Sequence, residues 1–422
     1  MRTTQLEALG QSVCGPASRR HSFGAKFSYW LLMGGPALAV ACGPSGGTGP
    51  KDASSDVAPG DASGSADASD GGAPFPFQPS NISLAEIAQA VGKAKVENES
   101  GACSIATDAS SPSQSCFSSP IKAVTQPDGS TVNLIVVKSL AVQSTGAITV
   151  TGGVPLIVVS LADVTLFGSV DAASVSLGVG PGGAGPAASN AAGMGGGGGA
   201  AGSGATKVGG SGGSYCGLGG NGGGQTTVGM AYGNVAIRPL VGGSAGGGGA
   251  VGSGAGGGGL QITAAGTLTL NTSASITAGG QGGPIGGIAT DQNAGGGGSG
   301  GSILLEATNV TLAGTLAANG GGGGGDYSGT GGADATPNAT PAPGGAGGTS
   351  DAAGGAGGAA SVINGSPGMT GASVNSGGGG GGTGRIRINS MSGSATVSGV
   401  LSPTAATSCV TQGPLRTTTD GP

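Results

Sequence analysis

Few residues in this sequence are of the types and spacing that support catalysis. His21 is the only histidine, so a Ser-His-Asp or Cys-His arrangement, or a zinc site that uses imidazole, would depend on this one residue near the N-terminus. Ser211, inside the run 209–213, formally matches a nucleophile elbow, but such matches arise freely in a tract of glycine and serine. We therefore expect no catalytic, cofactor-binding or metal-binding residues and predict that the protein is not an enzyme.

Carboxylates offer two weaker possibilities. Asp326 follows a run of six glycines, as in a calcium-binding glycine repeat, but that motif needs a large aliphatic residue two positions later, where Ser328 stands. Asp163 and Asp171 lie on either side of one short predicted strand and could form an acid–base pair. Because a later copy of the same repeat lacks both acids, a corner or capping role is the simpler prediction.

Threonines recur at similar places along the chain and could form a ladder that binds polysaccharide. The β-propensity of threonine is the simpler explanation of their presence, and we favour it. Aromatic platforms for sugar stacking are limited to Tyr215, Tyr232 and Tyr327 once Trp30 is removed with the leader described below. The residues of the predicted ladder are Thr149, Thr165, Thr269, Thr311 and Thr396.

Four of the six cysteines lie in the body of the chain: Cys103, Cys116, Cys216 and Cys409. An even number in an exported chain is consistent with two disulfides, for which three pairings are possible. We favour Cys103–Cys116, the pair closest in sequence, which leaves Cys216–Cys409. Metal binding is the rival interpretation, but no CxxC spacing occurs.

The N-terminus has the pattern of an export signal. Arg19, Arg20 and Lys26 precede an apolar stretch over 27–41 that is too short and too broken by glycine and proline for a lasting membrane span. The run LAVACG at 38–43 resembles the lipobox of bacterial lipoproteins, whose signal peptide is cleaved just before an acylated cysteine. This resemblance implies a signal peptide over 1–41, lipid such as palmitate on Cys42, and, with Gly43 next, an outer-membrane location. A plain secretory signal is the alternative, and the export route, Sec or twin-arginine, stays open.

The composition changes twice after this leader. Residues 42–80 are mainly Gly, Pro, Ala, Ser and Asp, with almost nothing apolar before Phe75, and predict a disordered tether. Residues 81–130 predict a short helix, begun by a capping box of Ser83 and Glu86, and a cap that contains two cysteines.

A repeat of alternating β-branched and small residues occupies 131–422. Residues 157–172 match 303–318 without an insertion, and looser copies cover 260–276, with about two extra residues near 271–273, and 386–401. Predicted strands at 131–137 and 147–150 precede them. One unit buries too few aliphatic side chains to offset the entropy of ordering it, so we expect stacking. The prediction is an all-β fold, a short parallel β-solenoid of about five coils.

Most of the 102 glycines lie between these repeats, at about 178–259, 279–301 and 320–384. Glycine chains can approach closely enough to hydrogen-bond in a polyglycine II bundle, and disordered loops are the alternative. The runs at 195–199, 246–249, 295–298 and 320–325 resemble the glycine-rich surface proteins of bacteria, including the repeat part of the PE-PGRS family, without the N-terminal helical domain of that family.

The chain has 8% charged and 3% aromatic residues, well below an ordinary enzyme. Removing 1–41 takes away four basic residues and one acidic residue, so the net charge falls from −5 to about −8 and disfavours a nucleic-acid partner. We expect a non-enzymatic, lipid-anchored structural or adhesive protein of a bacterial cell surface, without a cofactor. Its expected partners are the membrane, through Cys42, and an envelope or extracellular polysaccharide or a neighbouring surface protein. The alternative is a solenoid that binds or acts on polysaccharide.

Overall fold

A computed structural model describes residues 75–175, 178–287, 293–348, 352–371 and 375–418. The predicted signal peptide, Cys42 and residues 43–74 of the predicted tether lie outside these residues. In the described part nearly all regular structure is β, with one short helix.

The described chain begins with a buried segment and the helix. Phe75 and Phe77 are each 1% exposed, so residues 75–80, which the sequence assigns to the tether, pack against the body. Helix α1 (Leu84–Val91) begins at Ser83, whose hydroxyl accepts a bond from the Glu86 N–H at 3.2 Å. The Glu86 carboxylate accepts a bond from the Ser83 N–H at 2.9 Å. The predicted capping box is therefore confirmed, and it starts a helix that buries Ile87.

Eighteen strands are present in the described residues. The first nine are β1 (Val96–Glu99), β2 (Ala102–Thr107), β3 (Ser113–Gln114), β4 (Ile121–Thr125), β5 (Thr131–Val137), β6 (Ser139–Val142), β7 (Ala147–Gly152), β8 (Leu156–Ser160) and β9 (Val164–Leu166). The others are β10 (Ser169–Asp171), β11 (Gly259–Leu270), β12 (Ser275–Thr277), β13 (Ser302–Leu312), β14 (Thr315–Ala317), β15 (Arg385–Ser390), β16 (Thr396–Val397), β17 (Val400–Ser402) and β18 (Val410–Pro414).

These strands form two sheets. The large sheet has eleven strands in two rows that share β11 and β13: one row is β4-β5-β8-β11-β13-β15-β18 and the other is β1-β6-β9-β11-β13-β16. The small sheet has the order β17-β14-β12-β10-β7-β2-β3. Every pairing is parallel except β2 with β3 and β4 with β5. Strands β3 and β4 thus cover the edges of β2 and β5, which limits unwanted edge-to-edge pairing.

The register of the parallel strands corrects the sequence alignment of the repeats by one residue. Leu260 pairs with Leu156 on one side and Ile303 on the other, so Ile303 is equivalent to Leu156 and not to Ile157. Further along, Val310 is equivalent to Val164 as aligned. The difference is absorbed by a register shift between Ala264 and Thr267, where β11 has one residue more than β13.

The large sheet is covered on both faces. Its inward residues and those of the small sheet form one aliphatic core, which includes Leu156, Val158 and Ile276. The alternate residues of β8, Ile157 and Val159, pack outward in a second cluster that includes Phe75, Phe77 and Ile87. A strand buried on both faces reads as a continuous apolar run, which explains the sequence LIVVS of β8.

The glycine tracts are joined to each other by backbone hydrogen bonds with a period of three residues. In tract 294–301, residues 294, 297 and 300 donate to carbonyls of tract 376–382, and residues 295, 298 and 301 donate to tract 278–284. Residues 296 and 299 donate to tract 244–247. Successive N–H groups thus point to three different neighbours in rotation, which is the geometry of a helix with three residues per turn.

Two other tracts follow the same rule. In 377–384 the donors alternate among tracts 363–369, 318–324 and 210–213, and in 320–326 they alternate among 352–358, 295–298 and 330–333. Tracts 294–301, 320–326 and 377–384 each donate hydrogen bonds to three neighbouring tracts. We call the whole set of hydrogen-bonded glycine tracts the glycine body.

This packing depends on the absence of side chains. A Cβ atom added to Gly381 would lie 2.0 Å from the carbonyl oxygen of Gly298, and one added to Gly297 would lie 2.3 Å from that of Gly321. Both distances are far below a van der Waals contact, so only glycine permits these chains to approach and hydrogen-bond. The close spacing therefore accounts for the glycine content of the tracts.

Candidate functional site

Four of the five threonines of the predicted ladder stand side by side on the large sheet. The Cα register joins Thr165 to Thr269, Thr269 to Thr311, and Thr311 to Thr396, across β9, β11, β13 and β16. Their chain neighbours point into the core, as Val164 and Leu166 do, so the threonines point outward. Thr311 and Thr396 are exposed and the other two are half-buried. The hydroxyls form a row at the spacing of neighbouring strands, about 4.8 Å.

Thr149 was assigned to this ladder wrongly. It lies on β7 of the small sheet, where it pairs with Asp171 and Ser104. The residue next to Thr165 on the other side is Ala141. In both sheets the strands contain a threonine between aliphatic residues. The alternation of side chains along a strand therefore does not show which sheet the strand joins.

The surface around the ladder carries little charge. The residues two positions before the four threonines are Asp163, Thr267, Asn309 and Ser394, all of them short. Asp163 accepts a hydrogen bond at 2.7 Å from the backbone N–H of Thr267, at the register shift of β11. We call these eight residues the threonine face. Such a surface of hydroxyl, amide and methyl groups suits a polar, repetitive ligand.

The candidate carboxylates hold backbone and side-chain groups in place. Asp171 accepts bonds from the Ala173 N–H at 2.9 Å and the Thr277 hydroxyl at 2.5 Å. Asp326 is fully buried and accepts bonds from the Gly348 N–H and the Asn375 amide. All three candidate carboxylates, Asp163 included, occupy structural positions, which for Asp163 and Asp171 agrees with the predicted corner or capping role.

Ser211 is also engaged. Its side chain is fully buried and donates to the carbonyl of Thr227 at 2.6 Å. Among the described residues no group of three or more histidine, cysteine or acidic side chains is placed to hold a metal ion.

Two of the three candidate sugar-stacking tyrosines pack against each other within the glycine body. The rings of Tyr215 and Tyr232 are 4.6 Å apart, and the Arg385 guanidinium lies 6.0 Å from the Tyr215 ring centre. Burial raises the pKa of Tyr215 to about 12 and also raises the pKa of Tyr232. Tyr215 is fully buried, whereas Tyr327 is 39% exposed and available for contact.

The four cysteines of the body form two disulfides, Cys103–Cys116 and Cys216–Cys409. The first joins β2 to the segment after β3 at a Cα distance of 5.1 Å. The second joins the glycine body to the segment before β18 at 5.7 Å, across a separation of 193 residues. Each therefore ties a peripheral segment to the stacked strands.

A buried cluster of polar side chains on the outer face of the large sheet was not predicted. Glu306 is fully buried on β13, between Thr263 of β11 and Asn389 of β15 in the register. Its carboxylate accepts bonds from the Ser80 hydroxyl at 2.6 Å, the Ser80 N–H at 3.0 Å, and the Gln261 and Asn389 amides, both at 2.9 Å. Arg387 completes the cluster, because its Nε donates to the Asn389 amide oxygen at 2.7 Å.

We call Ser80, Gln261, Glu306, Arg387 and Asn389 the polar latch, because it fastens the N-terminal segment to three strands. The composition of residues 42–80 predicts a tether that includes Ser80, so it gives no hint of this cluster. A signal was present: Glu306 interrupts the apolar strand run ILLEA, at a position where β5 and β8 carry Val136 and Val159.

The observed class is an all-β protein in which parallel sheets support a hydrogen-bonded glycine body. In comparisons with known proteins, no family model, no curated protein and no solved structure matches the chain. In the described residues, no helix is long and apolar enough to cross a membrane.

Proposed function

We propose that this chain is a non-enzymatic, lipid-anchored structural or adhesive protein of a bacterial cell surface, held in the outer membrane through Cys42. The observation that carries the proposal is the glycine body, whose tracts are cross-bonded in three directions instead of being free loops. A body of this kind resists deformation in every direction across its tracts, which suits a scaffold or spacer.

The finer architecture that we propose is a solenoid of about five coils with polyglycine II tracts inserted between coils. In-register parallel pairing of β8, β11, β13 and β15 supports the stacking of coils. The rotation of hydrogen bonds through three neighbours supports the polyglycine II conformation of the tracts. On this view the stacked coils set the direction in which the tracts emerge.

The way the chain enters its body supports a tethered arrangement. Phe75 and Phe77 are buried against the outer face of the large sheet, and Ser80 is held by Glu306. A tether over 42–74 would therefore be joined to a firmly packed segment. Tension applied between lipid and body would be transmitted to the large sheet through this segment.

Substitution of the acylated cysteine tests the anchor. We expect Cys42→Ser to abolish acyl labelling and to leave the leader uncleaved, because the thiol is the acceptor of the lipid in the lipoprotein pattern. Cys14→Ser is the matched control, since it removes the other cysteine of the N-terminal region. This variant should still be acyl-labelled and should still be recovered in the membrane fraction. Unchanged acyl labelling of Cys42→Ser would refute the anchored function.

Polysaccharide binding is a second candidate, and the in-register threonine face favours it. A row of hydroxyls on neighbouring strands can hydrogen-bond to successive sugars of an extended chain. We expect Thr311→Lys to weaken retention on insoluble envelope polysaccharide several-fold, because a long charged side chain would stand out of the face. Thr149→Lys, an exposed threonine on the other sheet, is the control. Equal retention of both variants and the parent would exclude this face as the binding site.

A further inference from the structure

The polar latch contains the parts of an acyl-transfer reaction, whereas the proposed function uses only its hydrogen bonds. Ser80 supplies a hydroxyl, and the Glu306 carboxylate that would accept its proton is 2.6 Å away. The same carboxylate oxygen, Oε1, contacts the Asn389 amide nitrogen at 2.9 Å. One oxygen atom of Glu306 therefore touches both a nucleophile and a leaving group, as a general base that becomes a general acid must.

The Asn389 amide is also polarised. Its oxygen accepts a bond at 2.7 Å from Nε of Arg387, whose positive charge would stabilise negative charge that develops on this oxygen. The Gln261 amide contacts Oε2 of Glu306 as well, but its own oxygen accepts only from the neutral amide of Asn81. Asn389 is therefore the better electrophile of the two.

The site is dry. Glu306 is fully buried, and Ser80 and Asn389 are 2% and 4% exposed. Exclusion of water favours attack by the hydroxyl over hydrolysis of the amide, and it would protect an ester once formed.

We propose that Ser80 and Asn389 form an intramolecular ester crosslink with Glu306 as the proton carrier. The Ser80 oxygen attacks Cγ of Asn389 while its proton passes to Glu306, and the carbonyl electron pair moves to the oxygen held by Arg387. When the carbonyl re-forms, the C–N bond breaks and Glu306 delivers the proton to the departing nitrogen. The products are the ester and one molecule of ammonia, and Glu306 returns to its ionised form.

The position of this bond suits a load-bearing role. It would join the segment that follows the tether covalently to β15, so that a pull on the N-terminus would load a covalent bond instead of hydrogen bonds. Formation of the ester does not require a lipid anchor, whereas this load-bearing role rests on the proposed anchoring at Cys42.

Intact mass of the folded mature protein, after reduction of its disulfides, tests the proposal. We expect a mass lower by one ammonia, about 17 Da, than the mass calculated for the same processed chain without the crosslink. After digestion, the peptides that contain Ser80 and Asn389 should remain joined, and hydroxylamine should separate them because it cleaves esters. Ser80→Ala removes only the nucleophile and Glu306→Gln removes the proton carrier, so both should have the full mass. Ser83→Ala, a nearby hydroxyl outside the latch, should keep the loss.

Several outcomes would overturn the proposal. If folded parent protein has its calculated mass with no loss of ammonia, no bond forms. A gain of about one mass unit at Asn389 means that water has hydrolysed its amide instead. An ammonia loss with separate Ser80 and Asn389 peptides points to cyclisation elsewhere, and a join between Ser80 and Gln261 rejects Asn389 as electrophile. Circular dichroism of Ser80→Ala checks that the absence of the bond is not caused by a failure to fold. These readouts do not depend on acylation of Cys42, so the crosslink and the anchor can fail separately.

Discussion

Gly381 illustrates how strongly single residues constrain the glycine body. An added Cβ would lie 2.0 Å from the carbonyl oxygen of Gly298, which is backbone and cannot rotate away. We expect Gly381→Ala to lower the free energy of unfolding by about 1–3 kcal/mol or more, as overpacking does in rigid cores. Chemical denaturation of the purified protein measures this change.

Gly101→Ala is the control, because no atom lies within 4 Å of the added Cβ and the residue is exposed. It should stay within about 0.5 kcal/mol of the parent. If both variants were equally stable, the close approach of tracts 294–301 and 377–384 would be incorrect.

Burial of Tyr215 should make the free energy of unfolding fall as the pH rises in the alkaline range. Burial raises its pKa from 10.0 to about 12, so the folded state favours the neutral phenol. The stabilisation is fully present below pH 10 and is lost as the pH rises towards 12, by about 3 kcal/mol in all. We expect the unfolding free energy of Tyr215→Phe to fall less steeply over this range. Parallel curves for parent and variant, measured by denaturation between pH 9 and 12, would contradict the burial of this hydroxyl.

At the scale of elements, the sequence predicted what local chemistry determines. The capping box at Ser83, the strand over 131–137 and the two extra residues before β12 were all foreseen, because each depends on neighbours in the chain. The one-residue shift in the first strand of the repeat was not. It arises at the irregularity of β11, and a single skipped residue leaves the apolar pattern on both sides intact.

The site was foreseen only in part for the same reason. Alternation predicted that threonines would align, but it could not assign Thr149 to the small sheet. The polar latch joins Ser80 to Glu306, which are 226 residues apart. No periodicity within a strand encodes such a contact, and only the packing of the N-terminal segment onto the large sheet creates it.

The disulfides should stabilise two elements unequally. Cys216–Cys409 spans 193 residues and Cys103–Cys116 spans 13, so loss of the longer link releases more chain entropy on unfolding. We expect about 5 kcal/mol from replacing both cysteines of the long pair by serine, and about 3 kcal/mol for the short pair. Urea denaturation of the two double variants compares them. A larger effect of the short pair would mean that strain or residual structure, not loop length, governs these links.

At the scale of the whole molecule, the sheets and the glycine body depend on each other. Tract 294–301 leads directly into β13 and tract 377–384 leads directly into β15, so the paired strands fix where each tract ends. In return, every N–H group of these two tracts donates to a backbone carbonyl of a neighbouring tract. Ordering such long glycine segments is costly, because glycine loses more conformational entropy than any other residue on folding, so we expect the tracts to order only together with the sheets.

This dependence predicts the pattern of amide hydrogen exchange. Amides of 294–301 and 377–384 each have a carbonyl partner, so they should exchange as slowly as those of β11 and β13, although they belong to no sheet. The outer tract 226–231, which is largely exposed, should exchange faster and serves as an internal reference. Disordered glycine loops would instead exchange at the rate of an unfolded peptide over all three tracts. Uniformly fast exchange would therefore reject the glycine body, while fast exchange confined to 226–231 would support cooperative ordering of its centre with the sheets.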